Sequence, residues 1–155
     1  NADEHEAVSA QMFLEDEGLQ AFFSEEERTM MAEAIVDHRA SLEYEARSVY
    51  GKLVSSADRE ISVENMLIRS LRFQRDKHAS EHPTLEQIIA YSFQKLSSKY
   101  GKGGYAKMYY PDPAYQKYLA EMQELFSDPE IFASRERQIA EQIHLMEEVE
   151  HDEER

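Results

Sequence analysis

The sequence predicts an all-α fold: a single-domain helical bundle of about seven helices. Three observations support this fold class. No segment alternates apolar and polar residues over the length of a strand, glycine (5) and proline (4) are few, and apolar residues recur at helical spacing. With 155 residues, 41% of them hydrophobic, the chain is long enough to bury a core. The predicted helices cover residues 3–17, 25–40, 44–59, 63–79, 85–99, 113–126 and 129–150.

The first two helices are predicted from apolar residues and from signals at their ends. Apolar contacts of the first helix come from Val8, Met12 and Leu14. Gly18 is expected to end that helix. Ser24 and Glu27 form a capping-box pattern ahead of the second helix. An apolar stripe at i, i+3, i+4 and i+7 then runs through Met31, Ala34, Ile35 and His38.

The remaining helices follow from the same kinds of signal. Tyr50, Val54 and Asp58 are spaced by four and share a side of the third helix. The fourth and fifth carry the apolar sets Met66, Leu67, Leu71 and Phe73, and Leu85, Ile88, Ile89, Phe93 and Leu96. Helix starts are marked by Thr84 with Gln87, by Asp112-Pro113 and by Asp128-Pro129. The acidic run 147–155 is expected to fray.

Composition and charge exclude several classes of protein. Seventeen Lys and Arg against 32 Asp and Glu give a net charge of −15, which argues against broad nucleic-acid binding. No apolar run approaches the roughly 20 residues of a membrane span, and no signal peptide is recognised. The absence of cysteine excludes disulfides and thiolate metal sites. We therefore expect a cytoplasmic protein that does not enter a membrane.

His5, His38 and Asp58 form the first candidate site, because each lies at the end of a predicted helix. Imidazole nitrogen and carboxylate oxygen bind divalent metals where no thiolate exists. Asp58 also ends an apolar row, where an unpartnered carboxylate is costly. The alternative is that Asp58 pairs with an arginine and His38 is an ordinary core histidine.

Two basic segments are candidates for phosphate binding. Arg69, Arg72, Arg75 and Lys77 partly share a helix face downstream of Arg59. Between Glu86 and Asp112 there is no acidic residue, and four lysines occur, including Lys102 and Lys107. Glycines in that loop could let backbone N–H groups approach an anion. The alternatives are a solvated, salt-bridged helix face and a flexible basic loop.

Three strings together resemble the HD-domain superfamily of metal-dependent phosphohydrolases, downstream of its His-Asp doublet. They are HEAVSA (5–10), EAIVDHRAS (33–41) and YGKLVSSADR (50–59), and the stretch KYGKGGYAKMYYP (99–111) resembles bacterial members. The resemblance covers residues 3 to about 126. It implies an HD-like core over 1–126, with 127–155 as a C-terminal helix and acidic tail. The family's first His and its His-Asp doublet are absent from their expected place, on the N-terminal side of His5.

The resemblance implies hydrolysis of a phosphoester, in a nucleotide or a phosphorylated metabolite, by metal-activated water. The resemblance implies that Asp58 and His38 are catalytic and that His5, His38 and Asp58 bind metal. For His5 and His38 it implies a second metal or the substrate phosphate as the bound group. Substrate-binding candidates are Arg59, Arg72, Lys102 and Lys107. Mn, Fe, Co, Ni, Mg and Zn all suit such ligands.

Two other functions stay open at the level of sequence. The chain could be a degenerate or truncated HD-like module that binds a nucleotide or a protein partner without turnover, or a plain structural bundle. An enzyme, a phosphoric ester hydrolase, is expected if the intact protein carries the doublet. Self-association into a homo-oligomer is also left open.

Overall fold

The computed structural model describes residues 5–39, 41–42, 44–106 and 108–147. Within these ranges the chain forms eight α-helices, one short 3-10 turn and no strand, so the predicted all-α class is confirmed. The helices are α1 His5–Glu15, α2 Glu17–Gln20, α3 Glu25–Asp37, α4 Val49–Ala57, α5 Val63–Lys77, α6 Leu85–Tyr100, α7 Pro113–Leu125 and α8 Pro129–Gln142. None of these helices combines the length and the apolar character that crossing a membrane requires.

Local hydrogen bonds at helix ends match the predicted caps. Ser24 and Glu27 form a reciprocal capping box on α3, and Thr84 and Gln87 form one on α6. α7 and α8 each begin with an aspartate N-cap followed by proline. These ends form because the side-chain oxygens satisfy backbone N–H groups that have no partner inside the helix.

Three predicted helix boundaries were wrong. The third predicted helix begins at Val49, with Ser48 as its N-cap, rather than at residue 44. Gly18 does not end the first helix: α1 stops at Glu15, and Asp16 then caps the short α2 by accepting from the N–H of Leu19 at 2.9 Å. The last helix ends at Gln142 rather than 150. His144 takes a left-handed conformation (φ 50°), and the N–H of Leu145 donates to the carbonyl of Ala140 at 3.0 Å. This turn buries Leu145 completely.

The chain divides into two compact units. The first comprises the described parts of Asn1–Arg59 and Ala106–Pro111, and the second those of Glu60–Tyr105 and Asp112–Arg155. The boundary expected after residue 126 stays a prediction, and the acidic tail beyond 147 lies outside the described residues.

In the first unit, α3 packs against both α1 and α4. Gly51 of α4 lies close to the end of α3, because an added Cβ at this glycine would lie 3.0 Å from the Cβ of Asp37. The start of α4 therefore lies against the end of α3, and α4 runs back along it. The hydrophobic residues that are buried among those described here are all alanines: Ala10, Ala32, Ala34 and Ala46.

The second unit has a core of large side chains from α5, α6, α7 and α8. Its fully buried members include Leu67, Leu71, Ile88, Tyr118, Met122, Phe132 and Ile139. A buried polar chain crosses this core: Ser70 and Ser92 share a hydrogen bond of 2.7 Å, and Ser92 donates to Glu136 at 2.6 Å. Burial raises the pKa of Glu136 to about 8, although the Ser92 hydrogen bond acts in the opposite direction.

Candidate functional site

His5 and His38 lie side by side although they are far apart in the sequence. His5 is the first residue of α1, and His38 caps the C-terminal end of α3. Their ring centroids are 6.3 Å apart, and the rings meet edge to face at 69°. The packing of α1 against α3 therefore brings two of the three predicted metal-binding residues together.

The orientation of the His38 ring is fixed by the backbone. Its Nδ1 lies within hydrogen-bond distance of the carbonyl of Ile35. Because a carbonyl can only accept, Nδ1 must carry the hydrogen, and Nε2 of the neutral ring then bears the lone pair. A histidine held in this way is suited to bind a metal ion or to accept a proton through Nε2.

Glu6 and Arg39 connect the helix ends that carry the two imidazoles. Glu6 is only 5% exposed, its Oε1 lies 3.3 Å from Nε2 of His5, and it forms an ion pair with the Nε of Arg39. Arg39 also donates from Nη1 to Glu6 Oε2 at 3.4 Å. A buried carboxylate needs such a partner, so the pair favours the approach of α1 to the end of α3.

Asp37, next to His38, is fully buried and was missed as a candidate in the sequence. Arg47 donates to its carboxylate from Nη2 at 2.9 Å, from Nε at 3.1 Å and from its backbone N–H at 2.7 Å. Burial alone would raise the pKa of Asp37, but these hydrogen bonds hold it below its ordinary value. The available signal was its place seven residues after Met30 and three after Ala34, on one helix face.

Asp58 lies apart from the two histidines. It caps the C-terminal end of α4, is exposed, and follows Gly51 by seven residues, which is about 10 Å along a helix axis. Since Gly51 lies against Asp37 and α4 runs back along α3, Asp58 is at the other end of α4 from His38. Within the described ranges, no three His, Asp or Glu side chains are grouped closely enough to hold a metal ion.

The cationic candidates have varied surroundings. Arg59 is half-buried and donates to the hydroxyl of Ser55 at 2.7 Å, which ties it to α4. Arg72 is exposed on α5 in the second unit. On the same helix, Arg69 pairs with Glu60 at 3.8 Å, and Arg75 donates to the carbonyl of Leu145 at 3.0 Å. Arg69 and Arg75 of the predicted string thus have structural partners.

Two amides of the glycine-rich loop, those of Gly101 and Gly104, form hydrogen bonds within the chain. The N–H of Gly101 donates to the carbonyl of Ser97 and that of Gly104 to Gly101, both at 2.8 Å. A Cβ on either glycine would lie 2.4 Å from a carbonyl oxygen of the preceding α6 residues. These glycines therefore allow the loop to pack on the end of α6, and their amides do not face an anion. Lys102 is exposed in this loop, and Lys107 lies outside the described residues.

Comparison of the chain with protein-family models, with curated proteins and with solved structures gives no match. Two converging imidazoles, one with a fixed tautomer, can hold a divalent ion through neutral nitrogens or a phosphate through protonated ones.

Proposed function

We propose that this chain forms part of a metal-dependent phosphohydrolase that cleaves a phosphoester of a nucleotide or phosphorylated metabolite. The observation that carries the proposal is the contact between His5 and His38, whose ring centroids lie 6.3 Å apart. The resemblance to the HD-domain superfamily assigns these two residues to a second metal or to the substrate phosphate, and their convergence is what either role requires.

The donor set of the described residues fits a divalent ion in part. His38 can present Nε2 because its Nδ1 is engaged by the carbonyl of Ile35. When bound, such an ion would lower the pKa of a water molecule and stabilise charge on phosphoryl oxygens. The residues of this chain would position the phosphoester, with Glu6 and Arg39 keeping the two rings together.

Asp58 does not fit the same ion as the two imidazoles, because it lies at the other end of α4. The proposal therefore rests on His5 and His38. The resemblance assigns further ligands to a first His and a His-Asp doublet, which are absent from their expected place upstream of His5. The position of Asp58 favours a second candidate function, a module that binds a nucleotide or another phosphorylated ligand without turnover.

The proposal is tested by incubating the protein that contains this chain with a panel of phosphoesters and measuring the phosphate released. Mn²⁺, Fe²⁺, Co²⁺, Ni²⁺, Mg²⁺ and Zn²⁺ are added in turn. We expect hydrolysis that is lost in His5→Ala and His38→Ala and kept in His144→Ala, an exposed histidine of the second unit. Phosphate binding that depends on His38 without hydrolysis would favour the second candidate. Hydrolysis that survives both substitutions would contradict the role given to the pair.

A further inference from the structure

The first unit exposes an apolar groove that its own side chains do not fill. The groove is a hollow of about 550 Å³, which we call the apolar groove. It is lined by residues of α1, α3 and α4: Phe13, Glu27, Met30, Met31, Ala34, Ile35, Tyr50 and Val54. Tyr50 and Val54 are 52% and 44% exposed. Other large apolar side chains of the same helices are also exposed: Val8, Met12, Val49 and Leu53.

The first unit, which exposes these apolar side chains, also has a core that contains few large side chains. Its buried hydrophobic residues, among those the structure describes, are alanines, whereas the second unit buries leucine, isoleucine, phenylalanine and tyrosine. Burial of large apolar side chains is the main favourable contribution to folding. An exposed apolar face of this kind marks a surface that another molecule covers.

The rim of the apolar groove is acidic. Glu27 lines the groove, and hydrogen bonds from Ser24 hold its pKa below the ordinary value, so the carboxylate is ionised at neutral pH. Met30 also borders an adjoining depression lined by Glu25, Glu26 and Glu33. The three helices that line the groove carry two Lys or Arg: Arg28, whose Nη1 donates to the carbonyl of Leu14 at 3.1 Å, and Lys52, which pairs with Glu45 at 3.3 Å.

We propose that the apolar groove docks an amphipathic helix of a partner protein whose apolar face is flanked by lysine or arginine. The groove follows α3 from Glu27 to Ile35, about 12 Å, which matches apolar anchors at i, i+4 and i+7 of a docked helix. Methionines at its centre can adapt to different anchors. A second copy of this chain is a poor occupant, because its net charge is also −15.

Binding of model peptides to the full chain tests this docking site. The probe is a fluorescent peptide of about 18 residues with leucine at i, i+4, i+7 and i+11 and lysine on the flanks, and its twin has glutamate on the flanks. We expect the lysine peptide to bind with an affinity that falls as salt is raised, and the glutamate peptide to bind at least about tenfold more weakly. No binding of the lysine peptide, or equal binding of both peptides, would overturn the proposal.

Two substitutions with matched controls locate the binding. Val54→Lys should weaken the lysine peptide by about tenfold or more, whereas Ile131→Lys, on the 52%-exposed Ile131 of the second unit, should not. Glu26→Lys should weaken binding of the lysine peptide by about threefold relative to Glu141→Lys. Because Glu26 is exposed, this result does not depend on any folding defect that Val54→Lys causes.

Measuring the oligomeric state of the chain tests whether a second copy occupies the groove. A dimer of the unmodified chain that Val54→Lys dissociates would identify a second copy as the occupant and would overturn the proposal. Equal binding of the lysine peptide to the Val54→Lys and Ile131→Lys chains would overturn it as well, since the peptide would then bind elsewhere.

Discussion

Arg47 holds the buried carboxylate of Asp37 through its Nε, its Nη2 and its backbone N–H. The two residues bracket the segment that leaves α3, and His38 is the first residue of that segment. Asp37 itself is fully buried, whereas Arg47 is 47% exposed at its side chain. The position of His38 therefore depends on an ion pair that the metal-binding pattern in the sequence does not include.

Removing the cation of this pair should destabilise the protein. Arg47→Ala leaves the Asp37 carboxylate buried with fewer partners, and we expect a loss of about 2 kcal/mol in the free energy of unfolding. Arg137→Ala, which breaks the exposed pair with Glu86, should cost less than about 1 kcal/mol. Urea unfolding of both variants measures the difference, and equal losses would contradict the importance of the buried pair.

The same pair predicts a loss of stability in acid. The pKa of Asp37 is below its unfolded value of 3.8, so its stabilisation is fully present above pH 3.8 and is lost as the pH falls through the folded-state pKa. The difference in unfolding free energy between the unmodified chain and Asp37→Asn should shrink as the pH falls from 3.8 to about 2. A difference that stays constant over this range would contradict the prediction.

Glu136 predicts a pH dependence of the opposite sign. Its folded-state pKa is about 8, above the ordinary 4.5, so the folded state binds more protons than the unfolded state between these values. Stability should fall as the pH rises from 4.5 to about 8, by at most about 1.4 kcal/mol per pH unit. Glu136→Gln should flatten this dependence, and Glu141→Gln, at an exposed position of α8, should not.

Gly51 should resist substitution because two helices meet at its Cα. In a helix interior, alanine is normally about 1 kcal/mol more favourable than glycine. Here an added Cβ would lie 3.0 Å from the Cβ of Asp37 and 3.2 Å from that of Ala46, so Gly51→Ala should destabilise by about 1 to 3 kcal/mol. Gly18→Ala, which would meet only the carboxylate of Asp16, should stay within about 1 kcal/mol. Thermal unfolding measures both.

The helices could be predicted from sequence because their signals are local. Ser24 with Glu27, and Asp128 with its following proline, act within one helical turn, and the structure places both at helix starts. The end of α8 could not be predicted in the same way. It depends on Leu145 turning into the core and on a hydrogen bond from Arg75, 70 residues earlier.

Buried acids were the main omission at the site and in the core. Asp37, Glu6 and Glu136 are not among the candidate residues predicted from sequence, but each is buried. Glu136 lies at i+4 from Phe132 and three before Ile139, so it shares their apolar face. Helical spacing could have identified it, whereas the pairing of Glu6 with Arg39 depends on the packing of α1 against α3.

The convergence of His5 and His38 was inferred from helix ends, but the separate position of Asp58 was not. Spacing places Asp58 on the side of α4 that carries Tyr50 and Val54. It does not give the direction in which α4 runs along α3. That direction follows from the contact of Gly51 with Asp37, which is a tertiary feature.

Titration of Zn²⁺ into the full chain, followed by the imidazole resonances in long-range ¹H–¹⁵N spectra, tests the central claim most directly. If His5 and His38 form one site, their resonances shift together at a single affinity, and those of His78 and His144 do not respond at that concentration. His38→Ala should then weaken Zn²⁺ binding by about tenfold or more and remove the shift at His5. Shifts of His5 that are independent of His38, or no response of either ring, would contradict the claim.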